Sequence, residues 1–222
     1  MKKAVIFDMY ETLVTLYSGE IYFGTQMAKD SGIPNEDFQQ IWQASKDERS
    51  TGRLSFEDIL EYILKTHGCY SEQLMSFLVK KRLEFGQNAF QNMHREIIPL
   101  LNELKKRQIK IGLISNCFSE EATLIKQSSL FPYFDAVCLS YDEQIQKPNL
   151  EIFRRCIEKL DVYSQECIYV GDGGCDELKA ATIMKMQVFQ AAWYIGNHPL
   201  NLAEKKPEYS QLEKPLELLN HL

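Results

Sequence analysis

Four short polar stretches carry the residue types that could do chemistry. They are Asp8-Met9-Tyr10-Glu11-Thr12, Ser115-Asn116, Lys147-Pro148 and Gly171-Asp172-Gly173-Gly174-Cys175-Asp176. Together they offer carboxylates, a hydroxyl, an amide and an ammonium, the groups that nucleophilic displacement and the stabilisation of charge call for. Singly, each has an ordinary structural explanation. An aspartate at a strand end is often a turn former, and a lysine before proline suits a solvated helix start. The stretch Asp172-Gly173-Gly174 reads as a turn, with Asp176 capping the next helix. Their joint placement lifts them above these readings, because each follows a run of residues that reads as a strand.

Those runs are 4–7, 109–114, 136–139, 168–170 and 188–192. They are short and almost wholly apolar, as a parallel strand covered on both faces requires. Between them lie segments of helical period: Ile97, Leu100, Leu101 and Leu104 repeat at three and four residues, as do Ile152, Phe153, Cys156, Ile157 and Leu160. Strand, helix, strand in alternation predicts an α/β fold, a Rossmann-like parallel sheet with right-handed crossovers. In such a sheet ligands bind beyond the carboxyl ends of the strands, where the four polar stretches fall.

The stretch 14–92 breaks the alternation. Amphipathic segments at 22–31, 35–45, 55–67 and 71–85 follow one another with no strand between them, and Gly32, Pro34, Gly52 and Gly68 punctuate their ends. Ser55 with Asp58 has the form of a capping box. This predicts four or five helices inserted after the first strand, giving a core of 1–13 and 93–222 and a helical unit of 14–92. The last residues, 209–222, are expected to add a short edge strand and a closing helix.

The 222-residue chain has 25 Lys+Arg against 31 Asp+Glu, a net charge of −6, which argues against nucleic acid or anionic lipid as a partner. No run approaches the ~18 apolar residues that span a membrane. The six cysteines are scattered without a CxxC pair, so they read as free thiols and the protein as cytoplasmic. A monomer or homodimer acting on a small molecule is the expectation.

Asp8, Ser115, Lys147 and Asp172, each after a strand and in this order, with helices inserted between the first two, make the chain resemble the haloacid dehalogenase superfamily. These are aspartate-nucleophile hydrolases, mostly phosphatases, and the resemblance covers nearly the whole chain. It implies that Asp8 is the nucleophile and forms a covalent aspartyl intermediate, and that Thr12 closes the first loop. Ser115, with Asn116 beside it, would bind the transferring group, and Lys147 would hold nucleophile and phosphoryl together. Asp172 and Asp176 would be the acids of the fourth motif, and the Tyr10 carbonyl a further metal ligand. A cofactor is implied as well: Mg2+, a hard cation that takes carboxylate, carbonyl, water and phosphate oxygens. His67, His94, His198 and His221 lack the paired spacing of a transition-metal site. The inserted helices would be a cap whose side chains select the substrate. Tyr17, Tyr22, Trp42, Lys46, Arg49 and Arg53 are candidates to reach the site, with one of Arg49 or Arg53, the latter aimed by the Thr51-Gly52 bend, expected to bind substrate.

One position departs from the phosphatase pattern. Phosphatases of this superfamily carry a second aspartate two residues after the nucleophile, where it protonates the leaving alcohol; here the residue is Tyr10. A tyrosine with an ordinary pKa of about 10 is a poor proton shuttle at neutral pH. The dehalogenase branch has tyrosine at this place, because a halide leaves without a proton. That branch works without Mg2+ and typically has an uncharged residue where this chain has Asp172. A Mg2+-dependent phosphatase is therefore the first expectation and a metal-free 2-haloacid dehalogenase the rival. A member of the fold retained for binding or regulation is the third.

Overall fold

The computed structural model describes residues 2–222. In chain order it forms β1 (Ala4–Phe7), then five helices: α1 (Gly24–Ser31), α2 (Asn35–Ala44), α3 (Lys46–Ser50), α4 (Phe56–Thr66) and α5 (Glu72–Gln91). There follow α6 (Ile97–Lys106), β2 (Lys110–Ser115), α7 (Ser119–Gln127), β3 (Ala136–Leu139), α8 (Ser140–Glu143) and α9 (Leu150–Leu160). The chain ends with β4 (Cys167–Gly171), α10 (Glu177–Ile183), β5 (Gln187–Ala191), β6 (Ser210–Leu212) and a closing 3-10 turn at Pro215–His221. The expected strands are present, shifted by a residue at some ends, and α5 runs six residues past the predicted stop at 85. The predicted closing helix is 3-10 in character.

All strand pairs are parallel, in the order β3-β2-β1-β4-β5-β6. Strand β1 is central and wholly buried, and its side chains alternate between two cores as a period of two dictates. Val5 and Phe7 join the apolar cluster with α6 and α7, whereas Ala4 and Ile6 join the one with α9 and α10. Strand β4 divides likewise, Ile168 and Val170 on the first face and Cys167 and Tyr169 on the second. From β1 the chain proceeds to β2 and β3 on one side and to β4, β5 and β6 on the other. The order reverses at β1, and the crevice beyond its carboxyl end is where this topology places a ligand.

Helices α1, α2, α4 and α5 enclose an apolar cluster of their own, with Phe38, Trp42, Phe56, Leu60 and Ile63 at its centre. The capping box at α4 forms in both directions: Asp58 N donates to Ser55 Oγ at 3.0 Å, and Ser55 N donates to Asp58 Oδ2 at 3.0 Å. Such a cap stabilises a helix by roughly 1 kcal/mol. Against the rest of the molecule this helical layer sets Ala89 and Phe90 into the first core and makes several polar contacts besides. Ser50 and Ser140 pair through their hydroxyls at 3.2 Å, and Phe56 N donates to Ser119 Oγ at 2.8 Å. Arg82 of α5 meets Glu120 (Nε to Oε1, 3.0 Å) and Glu121 (Nη2 to Oε1, 2.7 Å) of α7. Among the described residues all six cysteines are free, and no helix is long and apolar enough to cross a membrane.

Candidate active site

Asp8 is the first residue after β1, and its amide donates to Val170 O of β4 at 3.0 Å. Its carboxylate thus projects from the end of the central strand at the crevice. Lys147 Nζ, buried, donates to Asp8 Oδ1 at 2.6 Å and to Glu177 Oε2. Glu177 is held from three sides, because Tyr169 Oη donates to the same Oε2 at 2.7 Å and Gly173 N to Oε1 at 3.1 Å. Asp172 Oδ1 accepts from Gly174 N at 2.8 Å, and its carbonyl accepts from Gln190 Nε2 at 2.7 Å.

The acid that joins Asp8 and Asp172 is Glu177, not Asp176. Single oxygens of Asp8, Asp172 and Glu177 lie within 4.8 Å of one another. Asp176 is exposed at the lip of the cleft, because the chain passes through left-handed conformations at Cys175 and Asp176 before α10 begins. Glu177, as the first residue of α10, turns inward. The only sequence clue was a second carboxylate one position later, indistinguishable by spacing from the first.

Crowded carboxylates of this kind resist ionisation. Burial pushes Asp8 up to about 8, with Glu177 and Asp172 adding to the push and Lys147 opposing it. Burial, then Glu177, pushes Asp172 up to about 7. Lys147 moves the other way: burial alone would lower its pKa, but Asp8 and Glu177 hold it above the ordinary value. Once ionised, three carboxylates share one ammonium, and the site then carries excess negative charge. A divalent cation would relieve it, and hard oxygen donors are the ligands that Mg2+ takes, so the residues fit that ion.

Asn116 is tied to the loop that carries Lys147. Its Nδ2 donates to Lys147 O at 3.0 Å, and its Oδ1 accepts from Lys147 N at 2.7 Å. Both ends of the amide thus fasten the Lys147 loop to the end of β2. Ser115 is buried, and its hydroxyl makes only a 3.5 Å contact to Asn116 O, which leaves it available to a ligand. Thr12 is fully buried, its carbonyl accepting from Trp193 Nε1 at 2.8 Å and its hydroxyl unpaired among the described residues.

Tyr10 packs against the core cluster that holds Val5, Phe7 and Met9. Its hydroxyl is buried and unpaired among the described residues, and burial first, then the charge of Glu121, keeps it protonated far above its ordinary pKa. Glu11 is a left-handed residue (φ 57°), a conformation that costs a side-chain-bearing residue roughly 1–2 kcal/mol. Its carboxylate offsets this by accepting from Thr15 Oγ1 at 2.7 Å, Leu16 N at 2.8 Å and Asn201 Nδ2 at 3.3 Å.

A cleft of 420 Å³ opens between the sheet and the helical layer, lined by Lys147, Asn116, Phe118 and Cys175 on one side and Lys46, Asp47 and Ser50 on the other. Of the candidates in the helices, Lys46 is thus at the cleft. Arg53 is exposed and is not part of its lining. The turn at Gly52 closes back on α3, with Arg53 N donating to Glu48 O at 2.9 Å, and this leaves the Arg53 side chain outside. Arg49 is buried between two rings, its guanidinium 3.6 Å from the Trp42 centroid and 4.2 Å from that of Phe118. It also donates to Trp42 O at 2.8 Å. Tyr22 bonds to Asp30, and Tyr17 stacks on His198 at 5.7 Å.

The family described as hydrolase, haloacid dehalogenase-like hydrolase, matches residues 2–182 of the chain. Among curated proteins, the glyceraldehyde 3-phosphate phosphatase of Methanocaldococcus jannaschii is 24% identical over 196 residues, spanning 84% of this chain and 83% of that protein. The rhythmically expressed gene 2 protein of Drosophila melanogaster is 34% identical over 85 residues, but that match spans 37% of this chain and only 33% of the fly protein. Among solved structures, a 2-haloacid dehalogenase from Pseudomonas syringae superposes with a TM-score of 0.70 at 19% identity, covering 99% of this chain and 97% of that one. A phosphatase from Thermococcus onnurineus superposes with a TM-score of 0.65 at 19% identity, covering 100% and 97%. At these identities the structural likeness speaks for the fold, and phosphatases and dehalogenases share it.

Proposed function

Because the chain belongs to the haloacid dehalogenase-like hydrolases, we propose that it is a Mg2+-dependent phosphatase acting on a small phosphate monoester, with Asp8 as nucleophile. The observation that carries this reading is Asp172, which stands with Asp8 and Glu177 in one buried acidic cluster. A reaction of a carboxylate with a neutral haloacid carbon has no use for that additional charge. A phosphate reaction does, provided a cation neutralises it.

Asp8, Asp172 and the Tyr10 carbonyl are the groups proposed to hold Mg2+, with Asp176 at the lip able to act only through water. When bound, the ion supplies charge neutralisation that lets the anionic nucleophile and the anionic ester approach. Asp8 attacks phosphorus as the bond to the leaving oxygen breaks, that oxygen taking its proton from water because Tyr10 supplies none; a second water then hydrolyses the aspartyl phosphate, releasing phosphate and restoring Asp8. Lys147 holds the attacking carboxylate in line and faces the charge that develops on the phosphoryl oxygens. Glu177 and Tyr169 keep the ammonium aimed, Asn116 fixes the loop that carries it, and Ser115 donates its hydroxyl to the phosphoryl group. The helices α1–α5 act as a cap that excludes water and presents Lys46, Asp47 and Ser50 to the leaving group.

Tyr10 favours a second reading, a 2-haloacid dehalogenase, since it supplies no general acid and a halide needs none. The two are separated by measuring inorganic phosphate released from p-nitrophenyl phosphate, with and without Mg2+, against halide released from 2-chloropropionate. Metal-dependent phosphate release is the expected result. Metal-independent halide release with no phosphate release would overturn the phosphatase reading.

A further inference from the structure

The chain between β5 and β6 bears on both linkers that join the sheet to α1–α5. Trp193 Nε1 donates to Thr12 O at 2.8 Å, and Asn197 Nδ2 to Thr15 Oγ1 at 3.3 Å. Asn201 Nδ2 donates to Glu11 Oε2 at 3.3 Å and back to Tyr194 O at 3.0 Å. His198 stacks on Tyr17. Four residues of the outgoing linker, from Glu11 to Tyr17, are thus gripped by one segment. Tyr194 does more, because its hydroxyl accepts from His94 N at 2.6 Å and donates to Leu13 O at 3.5 Å. Leu13 lies on the outgoing linker and His94 on the returning one, so a single oxygen spans the two.

These contacts exceed what packing alone supplies. Tyr194 and Asn201 are buried, and burial pushes the Tyr194 hydroxyl up to about 12, so it remains a neutral donor and acceptor at working pH. The half-buried backbone N–H of His94 finds its partner in this hydroxyl. A helical unit that swings over a cleft rotates about its two linkers, and their spacing sets the axis of that swing.

We propose that residues 193–201 form a clasp on the two linkers and that Tyr194 is a positioning residue, whose hydroxyl ties Leu13 to His94 and fixes the pivot of the cap. This rests on the reading of α1–α5 as a cap over the cleft. The clasp acts on the nucleophile loop too, since Glu11 and Thr12 lie three and four residues from Asp8. Its effect is to favour the closed arrangement, in which Ser50 meets Ser140 and the cleft is covered.

Tyr194→Phe keeps the ring and removes only the hydroxyl. Backbone amide exchange, read without substrate, should quicken at least tenfold around His94 and Leu13 while β1 and β4 exchange at the wild-type rate. Asn201→Ala should quicken exchange around Glu11 and leave His94 protected. With p-nitrophenyl phosphate, Tyr194→Phe should raise KM by about three- to tenfold with kcat within about twofold, since a less populated closed state weakens apparent affinity in proportion. Unchanged exchange at both linkers, or quickened exchange throughout the sheet, would refute the clasp. So would quickened linker exchange with KM unchanged. If no phosphate ester is turned over, the phosphatase reading fails, and the exchange pattern still decides the clasp.

Discussion

Gly171, the last residue of β4, is the point where one added methyl group should test the network most directly. A Cβ there would stand 2.0 Å from Glu177 Oε1, 2.7 Å from its Cδ and 3.1 Å from the Tyr169 ring. Ordinary non-bonded atoms sit about 3.5 Å apart, so in Gly171→Ala the carboxylate must retreat by roughly 1.5 Å. Its φ is not in the left-handed region, so the substitution acts through the methyl group and not through backbone strain. The retreat breaks the bond from Gly173 N and withdraws Glu177 from Lys147 and Tyr169. Lys147 then keeps Asp8 as its only charged partner, with a weak bond to Tyr169 Oη at 3.4 Å. Misplacement of about 1 Å can cost 10²-fold in rate, and loss of one charge-stabilising group about 10²- to 10³-fold. A fall of about 10²- to 10³-fold in kcat is therefore expected in a Mg2+-dependent assay on p-nitrophenyl phosphate. Overpacking should also lower stability by roughly 1–3 kcal/mol, measured by urea unfolding. Adding Glu177→Asp shortens the acid by one methylene and should recover at least tenfold of the lost rate. A Gly171→Ala enzyme within threefold of wild type would refute the claim that Glu177 must lie against this glycine to aim the lysine.

Three further outcomes are expected. Tyr10→Asp should raise turnover of alkyl phosphates more than that of aryl phosphates, whose leaving groups need less protonation; equal effects on the two would count against a missing general acid. Arg82→Ala leaves Glu120 and Glu121, with side chains 1% and 9% exposed, without their shared ion partner. It should lower unfolding free energy by about 3–5 kcal/mol in urea titration, and a loss below 1 kcal/mol would contradict the buried pairing. Glu11, lifted by burial to about 6, holds its proton more tightly folded than unfolded. The part of the stability that Glu11 contributes should accordingly fall as pH rises from the ordinary carboxylate range through 6 and then level off, while Asp172 and Asp8 carry the decline to higher pH. Glu11→Gln should flatten that part of the Tm profile, and an unaltered profile would show that Glu11 does not titrate there.

Much of the fold was legible because its cause is local and repetitive. A strand covered on both faces must be apolar throughout, so 4–7 and 136–139 announced themselves, as did the helical period of α6 and α9. The interruption of strand and helix at residue 14 was equally plain. Hydrophobic pattern is less informative at the edge, where the 3-10 turn at Pro215–His221 buries only part of its surface and reads as a helix.

For the site, the run of residues already set Asp8, Ser115 and Asp172 at strand ends and Lys147 on the loop that follows β3, and therefore on one rim of a parallel sheet. Tertiary structure decided what each side chain does there. Whether Asp176 or Glu177 turns inward depends on two left-handed residues before α10, which no spacing rule encodes. Arg53 points outward because its turn closes on α3, and Asn116 spends its amide on a loop 31 residues away. The clasp of 193–201 on the linkers joins residues up to 190 positions apart. Periodicity records which face of an element is buried, but not which distant polar group its side chain will meet, and that pairing is settled only when the elements pack.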